Sequence, residues 1–132
     1  VLPSEVTGII VNDGDFANRV DLNGVNTTDF TNLQSTVIIT TSGGNDTIIG
    51  TAFKDSIVSG LGNDWIVPTA GMDTLWTGEG DDTVAIESTL VGSTKGDIFI
   101  DLGPGNDRVA IPNSDGGEGD ATIYGGEGND SI

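Results

Sequence analysis

The chain has 132 residues, 35% of them apolar and 5% aromatic, with 21 glycines and a net charge of −17 from 21 acidic against four basic side chains. This allows one domain with a thin core and many tight turns, and it excludes nucleic acid and anionic membranes as partners, because binding to them is driven by Lys and Arg. With no Cys and no His, disulfides, zinc sites of the usual ligand types, thiol nucleophiles and imidazole bases are excluded too.

In chain order, residues 1–40 come first. They contain no apolar run near the roughly 18 residues of a membrane span, and residues 1–11 lack the basic start and long apolar stretch of a signal peptide. The chain opens without Met and stops at Ile132 part-way through a repeat, which reads as a piece of a longer polypeptide. Short β-prone runs at 8–11, 19–22 and 36–40 are separated by Asn/Asp/Gly turns. The stretch Asp13-Gly14-Asp15 invites comparison with an EF-hand loop. Its sixth position is Asn18 rather than Gly and its twelfth is Gly24 rather than Glu, so that reading is set aside.

From Thr41 the chain falls into rows of nine: TSGGNDTII, GTAFKDSIV, SGLGNDWIV, PTAGMDTLW and TGEGDDTVA. Asp46, Asp55, Asp64, Asp73 and Asp82 share one column, and an aliphatic residue follows two positions later in each row (Ile48, Ile57, Ile66, Leu75, Val84). The pattern resumes as GSTKGDIFI (92–100), LGPGNDRVA (102–110), GGEGDATIY (116–124) and GGEGNDSI (125–132). Five rows in phase are not expected of a disordered acidic tail. Small residues in the first four positions permit φ > 0 and close backbone approach. The last three alternate as a very short strand with one inward side chain. One aliphatic per row cannot be buried alone, but stacked rows bury a continuous column.

These rows resemble the RTX nonapeptide G-G-x-G-x-D-x-U-x, a calcium-binding β-helix repeat, over about residues 41–132. The resemblance implies an all-β, right-handed parallel β-roll whose cofactor is Ca²⁺. Residues 1–40 are expected to form metal-free N-terminal capping strands and 41–132 the calcium-binding roll. Stacked strands about 4.8 Å apart bring like carboxylates within roughly 5 Å, a repulsion of about 3 kcal/mol per pair at an effective dielectric near 20. A hard cation among carboxylates and turn carbonyls reverses that sign, so folding and metal binding are expected to be one event.

Each row makes half a turn in such a roll, so alternate rows stack and two flanks emerge. One carries Asp46, Asp64, Asp82, Asp107 and Asp130 in loops of family type, with Gly44, Gly60, Gly62, Gly78, Gly80, Gly103, Gly105, Gly126 and Gly128 as turn residues. The other carries Asp55, Asp73 and Asp97, with Ala121 where a fourth Asp belongs. There Phe53 is expected to occupy a left-handed turn position, at a cost of roughly 1–2 kcal/mol, and Lys54 places a cation beside the metal position. Asp82 and Asp107 are 25 residues apart, Asp107 and Asp130 23, and the inserts at 86–91 and 111–115 precede loops of the second flank. One well-formed calcium ladder and one remodelled face are therefore expected.

Other signals are weaker. The recurring Gly-x-Gly lacks the third glycine of a dinucleotide fingerprint, and carboxylates as regular as Glu79/Asp82 read as metal ligands rather than a glycosidase pair. Of three glycosylation sequons, those starting at Asn45 and Asn129 lie in metal loops. Trp65 and Trp76 read as exposed or capping aromatics rather than sugar platforms. No catalytic residue is assigned. The functional expectation is a non-enzymatic structural or adhesive module of a secreted or cell-surface bacterial protein, of surface-layer or adhesin type. The alternative is the accessory roll of a type I-secreted enzyme or toxin. Expected partners are calcium ions and other domains or copies of the parent protein.

Overall fold

A computed structural model describes residues 6–33, 36–86, 97–111 and 120–132. Among the described residues there are eleven strands: β1 (Ile10–Asn12), β2 (Arg19–Asp21), β3 (Val37–Thr40), β4 (Thr47–Ile49), β5 (Asp55–Leu61), β6 (Trp65–Val67), β7 (Thr74–Glu79), β8 (Thr83–Ala85), β9 (Ile98–Asp101), β10 (Arg108–Ala110) and β11 (Ala121–Tyr124). Odd-numbered strands form a six-stranded sheet in the order β1-β3-β5-β7-β9-β11, and even-numbered strands a five-stranded one. Every pairing is parallel. The chain is thus an all-β parallel roll in which successive rows alternate between two walls, as the nine-residue period requires.

Each three-residue strand of the repeat sends one side chain into the buried cluster, because it has one residue facing the opposite way from its neighbours, and the longer β3 sends two, Val37 and Ile39. On one wall these are Val20, Ile48, Ile66, Val84 and Val109; on the other Ile39, Ile57, Leu75 and Ile100, and together they make one buried cluster. Strand partners are 18 residues apart in the regular rows (Ile48 with Ile66, Ile57 with Leu75). They are 25 apart across the first insert (Val84 with Val109, Leu75 with Ile100).

The sheets run unbroken through residues 40 and 41. Strand β3 lies between β1 and β5, and β2 is the outer neighbour of β4. The three strands read in the first forty residues are all present, with ends that differ by at most two positions. Val25, Phe30 and Leu33 add apolar contacts to the core.

One register differs from the row alignment. Thr74 pairs with Phe99 and Leu75 with Ile100, so the backbone of Asp73 stands level with Ile98 rather than Asp97. Only row 92–100 is displaced: Thr122 also pairs with Phe99 and Ile123 with Ile100, so row 116–124 is back in phase with row 68–76. Ile100 is fully buried, whereas Phe99 turns outward and touches Trp76 and Tyr124 at centroid distances of 6.4 and 5.6 Å. An interior one side chain wide accepts Ile100 without strain, and a ring would overfill it.

Candidate metal centre

In the GxGxD turns, position-two glycines Gly60, Gly78, Gly103 and Gly126 have positive φ, as do position-four glycines Gly44, Gly62, Gly80 and Gly128. Proximity explains the residue type as much as torsion does. A Cβ on Gly62, Gly80, Gly105 or Gly128 would collide with the carbonyl oxygen of Gly44, Gly62, Gly80 or Gly105 respectively, and the position-two glycines repeat the relation with Ser42, Gly60, Gly78 and Gly103. Two files of peptide carbonyl oxygens therefore run along this flank, each lying against the next turn.

Beside them stands the acidic column. Asp46, Asp64, Asp82 and Asp107 are each at most 2% exposed. The Oδ1 of each accepts the amide of the preceding row: Asn18 to Asp46, Asp46 to Asp64 and Asp64 to Asp82, and Asp82 to Asp107, all at 2.8 Å. Asp107 donates likewise to Asp130 at 3.0 Å. Each carboxylate thus occupies the gap between its own turn and the one before. The second oxygens, Oδ2 of Asp46, Asp64, Asp82 and Asp107, are buried with no hydrogen-bond partner. An ionised oxygen in that position is costly unless a cation meets it. Burial pushes Asp82 up to about 6 and raises Asp64 and Asp107 above the ordinary carboxylate range. The amides of the preceding row oppose it, as do the Ser59 and Thr77 hydroxyls near Asp64 and Asp82, although those hydroxyls donate to the Thr77 and Leu102 carbonyls rather than to Oδ2.

Among the described residues no three acidic side chains converge as a cage, so side chains alone do not make a site. One buried carboxylate oxygen per gap with carbonyl files alongside is a donor set of oxygens only, which suits Ca²⁺. The column fits the ion. Bound there, calcium supplies positive charge between rows that otherwise carry only negative charge.

The second flank does not fit in the same way. Asp55 is fully buried, but Thr51 meets both its oxygens, the amide on Oδ2 and the hydroxyl on Oδ1, each at 2.8 Å. Asp73 Oδ1 accepts the Asp55 amide at 2.9 Å. Burial pushes Asp55 up to about 6, with the Thr51 amide opposing, and Asp73 up to about 8, where the nearby Asp55 charge adds to burial. Phe53 does not take the left-handed conformation expected of it. Thr69, with φ 64°, is the sole described non-glycine residue with positive φ, and its hydroxyl donates to the Thr51 carbonyl. Phe53 packs against the core instead. Asp97 lies exposed one step outside the column, level with Asp120, whose amide it receives at 3.3 Å. Ala121 stands level with Ile98 and so at the column position of Asp73, as expected. The inserts at 87–91 and 112–115 lie outside the described residues.

Two features escaped the sequence reading. Position five carries a second ladder running the opposite way: the amides of Asn63, Asp81, Asn106 and Asn129 donate to Oδ1 of Asn45, Asn63, Asp81 and Asn106. Position one carries buried hydroxyls, Thr41 to the Ser59 carbonyl, Ser59 to that of Thr77, and Thr77 to that of Leu102. The recurrence of Asn or Asp just before the column Asp was the available signal for the first.

A parallel β-roll with glycine turns and a buried file of aspartates down one flank defines a calcium-binding repeat protein. Comparison with known families agrees. Residues 40–71, 69–85 and 115–132 match the RTX calcium-binding nonapeptide repeat in four copies, and these segments are RTX repeats, which bind Ca²⁺. The row 102–110 lies outside the matched segments, yet Asp107 takes its place in the same ladder. No curated protein and no solved structure matches the chain.

Proposed function

We propose that the chain is a calcium-stiffened structural or adhesive module of a secreted or cell-surface bacterial protein, of surface-layer or adhesin type. The carrying observation is the file of four buried aspartates, each with one oxygen on a neighbouring peptide and one left for an ion. Their Oδ1 atoms are committed to the backbone, which supports a load-bearing role rather than acid–base chemistry. RTX repeats occur in secreted bacterial proteins, where calcium is available outside the cell. The ligands proposed are Asp64, Asp82, Asp107 and Asp130, with Asp46 at the first row and the carbonyls of the turn glycines. Four ions in the gaps between these five aspartates add eight positive charges and move the net charge from −17 to −9.

The outer face of the six-stranded sheet presents Ile38, Val58, Trp76 and Tyr124, a surface suited to packing against other domains or copies of the parent protein. Pulling the chain by its ends in a single-molecule force experiment tests the mechanical role. A defined unfolding force is expected in millimolar calcium, and featureless extension in EDTA. Identical force curves in the two buffers would overturn the proposal.

A further inference from the structure

The first aspartate of the column has no repeat before it, yet it is set like the others. Asp46 is 2% exposed, its Oδ1 accepts the Asn18 amide at 2.8 Å, and its Oδ2 is buried without a partner. The pairing of Arg19, Val20 and Asp21 with Thr47, Ile48 and Ile49 places Asn18 level with Asp46, and two residues earlier Phe16 level with Gly44. Contacts agree with that register. A Cβ on Gly44 would lie 2.5 Å from the carbonyl carbon of Phe16, 2.6 Å from the Ala17 nitrogen and 2.9 Å from the Phe16 oxygen. This turn packs on the Phe16–Ala17 peptide as tightly as Gly62 packs on Gly44, although there the carbonyl oxygen is the nearest atom. The Asp13 amide donates to the Thr40 carbonyl at 2.8 Å, and the Ser42 hydroxyl donates to the Asp13 carbonyl at 3.3 Å.

Residues 13–21 are thus an unrecognised row, a turn followed by a strand. It lies outside the segments that match the repeat family. Phe16 replaces the fourth-position glycine and Asn18 the aspartate, so most of the consensus is lost while the path is kept. The Asn18 side-chain amide donates to the Gly14 carbonyl at 3.1 Å and closes the turn on itself.

We propose that the gap between turn 13–18 and turn 42–46 is a further calcium site, with the Asp46 carboxylate as its buried anionic ligand and main-chain oxygens of the 13–18 turn as the opposing donors. The inference rests on the calcium reading of the column and extends it to a segment that keeps only Gly14 and Val20 of the consensus. It replaces the metal-free cap expected above with a first row that calcium helps to order. A neutral Asn18 in the outermost row ends the charge ladder, so no carboxylate is left facing an open gap at this end.

The test uses the full chain with calcium as the only added metal. Native mass spectrometry is expected to count five ions, one for each gap between the six turns from 13–18 to 126–130, and four for Asp46→Asn. By hydrogen exchange at saturating calcium, amides 14–18 are protected in the unaltered chain and lose about tenfold or more of that protection in Asp46→Asn. Asp64→Asn should also lose one ion but leave the protection at 14–18 unchanged. Four ions on the unaltered chain, or amides 14–18 exchanging freely while those of the later turns are protected, would overturn the proposal without needing any variant to fold. An Asp46→Asn count equal to that of the unaltered chain would do the same. Absence of bound calcium from every form would instead overturn the reading of the whole column.

Discussion

Asp64→Ala and Asp55→Ala each delete one buried carboxylate, and the two flanks assign them different consequences. At Asp64 the substitution removes the anionic ligand of the gap above it and leaves the Asp46 amide, bonded at 2.8 Å, without an acceptor. An ion present at a hundred times its dissociation constant contributes about 2.7 kcal/mol to folding, and a buried donor left unpaired costs about 1–3 kcal/mol. The loss in calcium is therefore roughly 4–6 kcal/mol, a large share of the 5–15 kcal/mol typical of a domain. At Asp55 the partners lost are the Thr51 amide and hydroxyl, at about 1–3 kcal/mol each. That cost is offset in part by removing a carboxylate which burial pushes up to about 6, and none of it depends on metal. The assay is folding followed by circular dichroism against calcium concentration, whose steepness reports the ions taken up. Asp64→Ala should move the midpoint to higher calcium and lower the steepness by one ion. Asp55→Ala should change stability while keeping the steepness. Equal loss of steepness in both, or loss only in Asp55→Ala, would refute the division between the flanks.

Folding as a whole should follow calcium. In EDTA at neutral pH the far-UV spectrum is expected to be that of a disordered polymer and in millimolar calcium that of β-structure, and a metal-free chain with the same spectrum and melting point would contradict this. Acid should substitute in part for calcium. Burial raises Asp55 and Asp82 to about 6 and Asp73 to about 8, so the folded metal-free chain binds protons more tightly than the unfolded one. The resulting stabilisation is full below the unfolded value near 3.8 and is lost as pH rises through 6 to 8. A metal-free β-signal that grows from pH 5 to pH 8 would show the sign to be wrong. Gly78→Ala should destabilise the loaded roll by about 2–5 kcal/mol, combining a left-handed φ with overpacking. The reason is that Gly78 has φ 103° and its Cβ would collide with the Gly60 carbonyl. Gly24→Ala, with nothing within 4 Å of the added carbon, should be close to neutral by thermal melting.

The nine-residue period was enough by itself to define the parallel roll, the inward aliphatic file and the flank that carries Asp46, Asp64, Asp82, Asp107 and Asp130. All of these follow from local chemistry repeated in phase, with glycine where a turn needs it and a single apolar residue on each short strand. The tertiary structure decided what depends on groups 18 to 28 residues apart and, at Asp55, on a hydroxyl four residues away. The Asp73 and Asp97 rows read alike as sequence, but complete burial of Ile100 sets the register and leaves Asp97 one step out, because a buried Ile contributes about 1.5–3 kcal/mol and an exposed carboxylate contributes little. Asp55 matches the consensus Asp, yet Thr51 occupies its oxygens, and no rule of spacing predicts which hydroxyl will do so. Residues 13–21 keep only Gly14 and Val20 of the consensus, and their pairing with β4 is what shows them to be a row. A hydrogen-bond ladder constrains backbone position and tolerates Asn18 for Asp or Phe16 for Gly, so a repeat can survive in three dimensions after its sequence signature has gone.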